Sequence, residues 1–199
     1  MIISKLIGQK SKDGWSHMVA DEDLSVVVDC GQRARYKTLK QIKKAECIVL
    51  THSHADHVKN IGKILEMEYK GEVICTKETY NNMVKVYGDI IVKNKDIFKL
   101  LDYGEEYTVK GNKTVKLRDA GHCLGSAIVE LNMGKDKKVV ITGDVEANVD
   151  DEVCRLNDIN SLSMAWLTRT LRDAKIMKRS PISKMNFRSK VFKIDGLGI

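Results

Sequence analysis

Within the segment Thr51-His52-Ser53-His54-Ala55-Asp56-His57, three imidazoles and one carboxylate fall inside six residues. Capping and turn chemistry have no use for three histidines at this spacing; a metal has. In an extended segment alternate side chains share a direction, so His52 and His54 can face one ion. The turn that follows redirects Asp56 and His57 toward a second. Imidazole nitrogen and carboxylate oxygen are good Zn²⁺ ligands, and the same mixture suits Mn²⁺ or Fe.

Two later pieces fit this pattern. Ala120-Gly121-His122-Cys123-Leu124-Gly125-Ser126 places a further imidazole in a glycine-bounded loop, and Thr142-Gly143-Asp144 ends an apolar run in a carboxylate. Alone, such a histidine suits a turn and such an aspartate a helix cap. In this order they supply more: a third imidazole makes a His₃ site with an open position for water, and an aspartate between two ions can bridge them. His17, in WSHMVAD, sits at an alternating strand position and reads as structural. Cys123 reads as a packed thiol.

These residues need elements to carry them. WSHMVAD and LSVVVDCG read as two strands that open the chain as a hairpin around the acidic turn Asp21-Glu22-Asp23. YKTLKQIKKA has helical composition and leads into ECIVLTH, a buried-strand run that ends at the histidine cluster. VKNIGKILEME spaces Val58, Ile61 and Leu65 at helical intervals, and GEVICT returns as a strand, giving β-α-β order. KETYNNMVKVYG and DIFKLL read as helices. EYTVKGNKTVKLRDAG reads as a hairpin turning at Gly111-Asn112, and SAIVELNMG with KKVVITGD as a second strand pair. Met164, Leu167, Leu171 and Ala174 predict a helix with one apolar face, and VFKIDGLGI a last strand. Such alternation implies a layered α/β fold.

The 199 residues fit one domain, 1–199, of which 151–199 is a basic C-terminal segment. With 43% hydrophobic residues, 31% charged and one proline, the chain has the composition of an ordered globular protein. No apolar run reaches the roughly 20 residues of a membrane span, and the N-terminus lacks the apolar stretch of a secretory signal, so the expected location is the cytoplasm. The five cysteines form no CxxC pair and read as reduced; Cys30, Cys47 and Cys75 lie in strand-like runs as small hydrophobes. A net charge of +7 favours an anionic partner such as nucleic acid.

With these motifs assembled, the chain resembles the metallo-β-lactamase superfamily, whose pattern is a strand-end Asp, HxHxDH, a later His and a bridging Asp. The match runs from about Gly14 to Asp150. It is closest to the β-CASP RNA-processing branch, which has a similar DCG (Asp29 to Gly31), a similar AGHxLGSA (Ala120 to Ala127) and a similar TGD (Thr142 to Asp144). The resemblance implies an αββα sandwich. It also implies two metals, zinc or manganese: His52, His54 and His122 on the first, Asp56 and His57 on the second, Asp144 between them. Asp29 would orient ligands by hydrogen bonds. Two departures are visible. No histidine follows His122, so the second ion has one ligand fewer and is expected to bind more weakly. The β-CASP cap domain has no counterpart, which makes the chain either a minimal version of the fold or the front part of a longer protein.

The expected chemistry is hydrolysis by a metal-generated hydroxide, with Asp56 orienting the water and accepting its proton, and with an RNA phosphodiester as substrate. A carboxyl-ester or thioester hydrolase on the same core is the second reading, and a non-catalytic nucleic-acid-binding relic the third. A diiron oxidoreductase of this fold carries HxExDH, which Ser53-His54 contradicts.

Overall fold

The computed structural model describes residues 3–6, 16–31, 36–135, 137–145, 164–166 and 192–193. Its first sheet runs β1 (Ile3–Leu6), β2 (His17–Ala20), β3 (Ser25–Val28), β4 (Cys47–Val49), β5 (Glu72–Cys75) and β6 (Phe98–Leu100), in that spatial order. The first three are antiparallel and β3 to β6 are parallel. Parallel strands need crossovers, and helices supply them: α1 (Tyr36–Lys43) between β3 and β4, α2 (Ala55–Val58) and α3 (Ile61–Glu66) between β4 and β5, α4 (Lys77–Tyr87) and α5 (Asp89–Lys93) between β5 and β6. The second sheet has the order β12 (Phe192–Lys193), β11 (Met164–Trp166), β10 (Lys138–Ile141), β9 (Ala127–Asn132), β8 (Lys113–Asp119), β7 (Glu106–Lys110).

The strand sequences explain the layering. In β8 the pattern KTVKLRD alternates, and Val115 and Leu117 are buried while their neighbours are less so. These pack with Val129, Leu131, Val139 and Ile141 of the second sheet against Val19, Val26, Val28, Cys47, Val49 and Ile74 of the first. The strands β3, β4 and β5 are apolar on both faces because both are covered. Val27, Ile48, Val73 and Cys75 point the other way and meet Leu39, Ile42, Ile61, Ile64, Leu65 and Met83 from the helices. Each fully buried Val or Ile contributes about 1.5–3 kcal/mol, so two such cores hold the sheets firmly enough to position loops at their edge.

The αββα expectation agrees with two facing sheets and a helical layer on the first. The hairpin turns at Gly111, whose φ of 59° is the left-handed conformation a two-residue turn requires. The buried thiols Cys30, Cys47 and Cys75 are free, and Cys154 lies outside the described residues.

Four elements differ from the sequence reading. A strand, β1, precedes the expected first hairpin. The helix read into DIFKLL is instead a short 3₁₀ turn, Lys95–Ile97, followed by β6, because Phe98 to Leu100 complete the parallel edge beside Val73 to Cys75. The single helix expected over VKNIGKILEME is two, with Asn60 at the break; its backbone N–H and side-chain amide both donate to Cys30 O. The helix expected to begin at Met164 is a strand there, since Met164 to Trp166 pair in parallel with Val139 to Ile141 and satisfy an edge that β10 would otherwise expose. Leu167, Leu171 and Ala174 lie outside the described residues. Of the expected last strand, Phe192–Lys193 is a strand, and the remaining residues lie outside the described ones.

Candidate metal centre

The strands β3 and β4 run parallel, so both deliver their C-terminal residues to one edge of the sandwich: Asp29 from β3, Thr51 and the histidine cluster from β4. Across the gap, Ala127 N donates to Thr51 O at 2.7 Å, which ties the start of β9 to the same edge. The loop preceding β9 carries His122, and Asp144 follows β10. Candidate ligands distant in sequence therefore converge because two sheets end together.

The His122 loop is fixed by small, specific contacts. Ser126 Oγ accepts from His122 N at 3.0 Å and from Cys123 N at 3.1 Å. Gly125 O accepts from Thr76 Oγ1 and Thr79 Oγ1 at the start of α4, at 2.7 and 3.0 Å. Gly125 has φ 86°, and a Cβ there would lie 2.6 Å from Glu78 Cβ and 2.9 Å from Thr79 N. Only glycine lets the loop press onto this helix terminus.

His54 Nδ1 lies 3.1 Å from His52 Nε2 and 3.2 Å from His122 Nε2. These three nitrogens could hold one ion. A second grouping, His52, His57 and Asp144, also brings its donor atoms within 4.8 Å of one another, and all three residues are buried. Asp144 spans the two: Oδ1 is 3.4 Å from His57 Nε2, and Oδ2 is 3.9 Å from His122 Nε2. Asp56 stands further out. Its Oδ2 is 3.8 Å from His57 Nε2, it is one-third exposed, and it belongs to neither close grouping. His17 and Cys123 are likewise in neither.

The electrostatics fit cations. Burial, together with the charge on His57, lowers His52 to about 3, so its ring is neutral and can act as a ligand. Burial opposes a charge on His57, yet the carboxylates of Asp29 and Asp144 outweigh it and raise the imidazole to about 10. Asp144 is pulled the other way: burial would raise it, but bonding to His57 and the surrounding imidazoles lower it. Without an ion His57 thus carries a positive charge between the Asp29 and Asp144 carboxylates. His57 Nε2 and Asp144 Oδ1 are both buried and face each other at 3.4 Å without good hydrogen-bond geometry, an arrangement a divalent cation between them would relieve. His17 is lowered to about 3 by burial and by His57, as a buried neutral ring.

Asp29 connects to this network from below. Its Oδ2 is 2.6 Å from His57 Nδ1, and its two oxygens take the Thr51 hydroxyl at 3.0 and 2.8 Å. Sequence reasoning marked Asp29 but passed over Thr51, Ser126, Thr76 and Thr79. Small hydroxyl residues beside a motif carry little signal until their partners are known.

Comparison with known proteins adds relatives to this geometry. Residues 12–183 match the model of the Metallo-beta-lactamase superfamily. The chain is 30% identical over 169 residues to the transcription termination factor FttA of Methanococcus maripaludis, covering 69% of this chain and 27% of that protein. It is 28% identical over 163 residues to an RNase J-like protein of Methanocaldococcus jannaschii, covering 75% of this chain and 38% of the other. The chain thus spans well under half the length of either relative. Among solved structures, Zn²⁺-bound PqqB from Methylobacterium extorquens superposes with a TM-score of 0.62 at 13% identity, over 78% of this chain and 60% of that one, a likeness of fold alone.

Proposed function

Since this chain belongs to the metallo-beta-lactamase superfamily, we propose that it is a metal-dependent hydrolase of phosphodiester bonds in RNA. The observation that carries the reading is the meeting of His54 Nδ1 with His52 Nε2 and His122 Nε2 at 3.1 and 3.2 Å, three imidazole nitrogens converging on one point. His52, His54 and His122 would hold one divalent ion, and Asp56 and His57 a second, with Asp144 between them. Zinc is the first choice for this donor set and manganese the second. The ions would supply Lewis acidity, activating a water and stabilising charge on the phosphoryl and leaving oxygens.

The chain's own residues do the rest. Asp56, partly exposed at 3.8 Å from His57 Nε2, would orient the attacking water and accept its proton. Asp29 holds the His57 ring from the opposite nitrogen. Around the second ion only Asp56, His57 and Asp144 are assigned, so this ion is the more weakly held and activity depends on added Zn²⁺ or Mn²⁺. RNA is favoured over ester and thioester substrates by the net charge of +7 and by the likeness to a transcription termination factor and an RNase J-like protein.

The test is hydrolysis of an end-labelled RNA, beside a panel of carboxyl esters and thioesters, with Zn²⁺, with Mn²⁺ and after chelation. Metal-dependent RNA cleavage that disappears in His54→Ala is the expected result. Cleavage of the ester panel alone would move the assignment to the second hydrolase class. Stoichiometric metal with no hydrolysis of any substrate would leave a binding protein.

A further inference from the structure

A hydroxyl has one proton to give and two lone pairs to receive with, and Thr51 Oγ1 has more neighbours than that proton can serve. It lies 3.0 and 2.8 Å from the two oxygens of Asp29, 3.0 Å from His52 Nδ1 and 3.3 Å from His57 Nδ1. A carboxylate only accepts, so the Thr51 proton goes to Asp29. Thr51 Oγ1 must then receive at its lone pairs, and the neighbour at 3.0 Å is His52 Nδ1. That nitrogen therefore carries the ring's hydrogen, and Nε2, the nitrogen facing His54, keeps its lone pair. His57 Nδ1, at 2.6 Å from Asp29 Oδ2, donates to the same carboxylate directly.

We propose that Thr51 is a positioning residue, whose hydroxyl relays the Asp29 carboxylate to His52 and so holds both His52 and His57 with Nε2 turned toward the metals. One buried carboxylate then sets two imidazoles, the first through a hydroxyl and the second by contact. Thr51 is 1% exposed, which removes water as a competing partner. Its place is fixed from three sides. Thr51 N donates to Asp29 Oδ1 at 2.8 Å, Thr51 O accepts from Ala127 N, and its side chain fills the space over Gly143, where a Cβ would lie 2.7 Å from Thr51 Cβ. Because Gly143 adjoins Asp144, the relay also sits against the chain that delivers the carboxylate between the two sites.

The proposal rests on the reading that these imidazoles take metal, but its first readout does not need metal. In ¹⁵N-labelled metal-free protein, long-range ¹H–¹⁵N correlations distinguish Nδ1–H from Nε2–H rings. Thr51→Val keeps the branched shape and loses the hydroxyl; Thr51→Ser keeps the hydroxyl and loses the methyl. The expected result is an Nδ1–H tautomer for His52 in the wild type and in Thr51→Ser, and a mixed or Nε2–H ring in Thr51→Val. In calorimetric titration with Zn²⁺, Thr51→Val should lose about 10- to 100-fold in affinity for the tighter ion while Thr51→Ser stays near the wild type. An unchanged His52 tautomer in Thr51→Val overturns the proposal. So does a Thr51→Ser variant as impaired as Thr51→Val, which would make packing on Gly143 the operative contact. A wild type with the expected tautomer that takes up no zinc would refute the metal reading and still support the relay.

Discussion

The shortest contact between ionisable side chains at the centre joins Asp29 to His57, with Oδ2 2.6 Å from Nδ1 and both residues almost wholly buried. Asp29 reaches this position with φ 63°, a left-handed backbone that Asp and Asn tolerate better than other non-glycine residues. Asp29→Asn keeps that backbone and removes the charge. It also turns one acceptor into a donor beside His57 Nδ1 and Thr51. The expected outcome is a native circular dichroism spectrum with affinity for the second ion lowered about 10- to 100-fold. Zinc titration checks it, and unchanged affinity would show that the 2.6 Å contact is structural.

His54 is exposed, whereas His52 and His57 are 0% exposed. His54→Ala should therefore separate chemistry from folding. Hydrolysis and one metal equivalent are lost, while the unfolding free energy of the metal-free protein changes by no more than about 0.5 kcal/mol. Metal analysis and denaturant melts on the same sample decide this, and activity persisting in the metal-depleted variant would place the chemistry elsewhere.

Two glycines with positive φ give an internal control for the His122 loop. At Gly125 a Cβ meets Glu78, Thr76 and Thr79, while at Gly88, with φ 57°, nothing lies within 4 Å. Gly88, with ψ −129°, lies in a region essentially confined to glycine, so Gly88→Ala should cost about 1–3 kcal/mol from backbone strain alone and leave metal binding intact. Gly125→Ala should cost more than about 2 kcal/mol and weaken zinc binding as well, because the loop holding His122 must lift from α4. Equal effects of the two on zinc affinity would show that the loop's seat on α4 does not position His122.

How much of this was legible in the sequence varies with the range of the interaction. The ligand candidates stood out because metal chemistry restricts residue type, and the strands from Ser25 to Cys75 because burial on both faces leaves continuous apolar runs. The boundary errors were tertiary. DIFKLL pairs as an edge strand because β5 offers a partner, and Met164 to Trp166 because β10 does. Neither partner is visible locally. Thr51 was missed for a related reason: its importance lies in its contact with the Asp29 carboxylate, which only the parallel register of β3 and β4 brings beside it.

Away from the centre, a latch between the sheets should report itself through acid stability. Lys113, which opens β8, is 8% exposed and donates to Asp21 Oδ1 and Oδ2 at 2.7 and 2.6 Å, with Asp23 also in contact, so the second sheet is pinned to the β2–β3 turn. Burial alone would raise Asp21, but the Lys113 ammonium and the N–H groups of Asp23 and Leu24 hold its carboxyl at about 2, below the ordinary 3.8. A depressed carboxylate stabilises the fold above its unfolded pKa, and the gain fades as pH falls from 3.8 toward 2. Lys113→Met should therefore cost about 1–2 kcal/mol near neutral pH. The difference from wild type should narrow between pH 4 and pH 2, the window those values define. Urea melts at several pH values would show it, and a gap constant down to pH 2 would mean that Lys113 acts by packing rather than through the charge of Asp21.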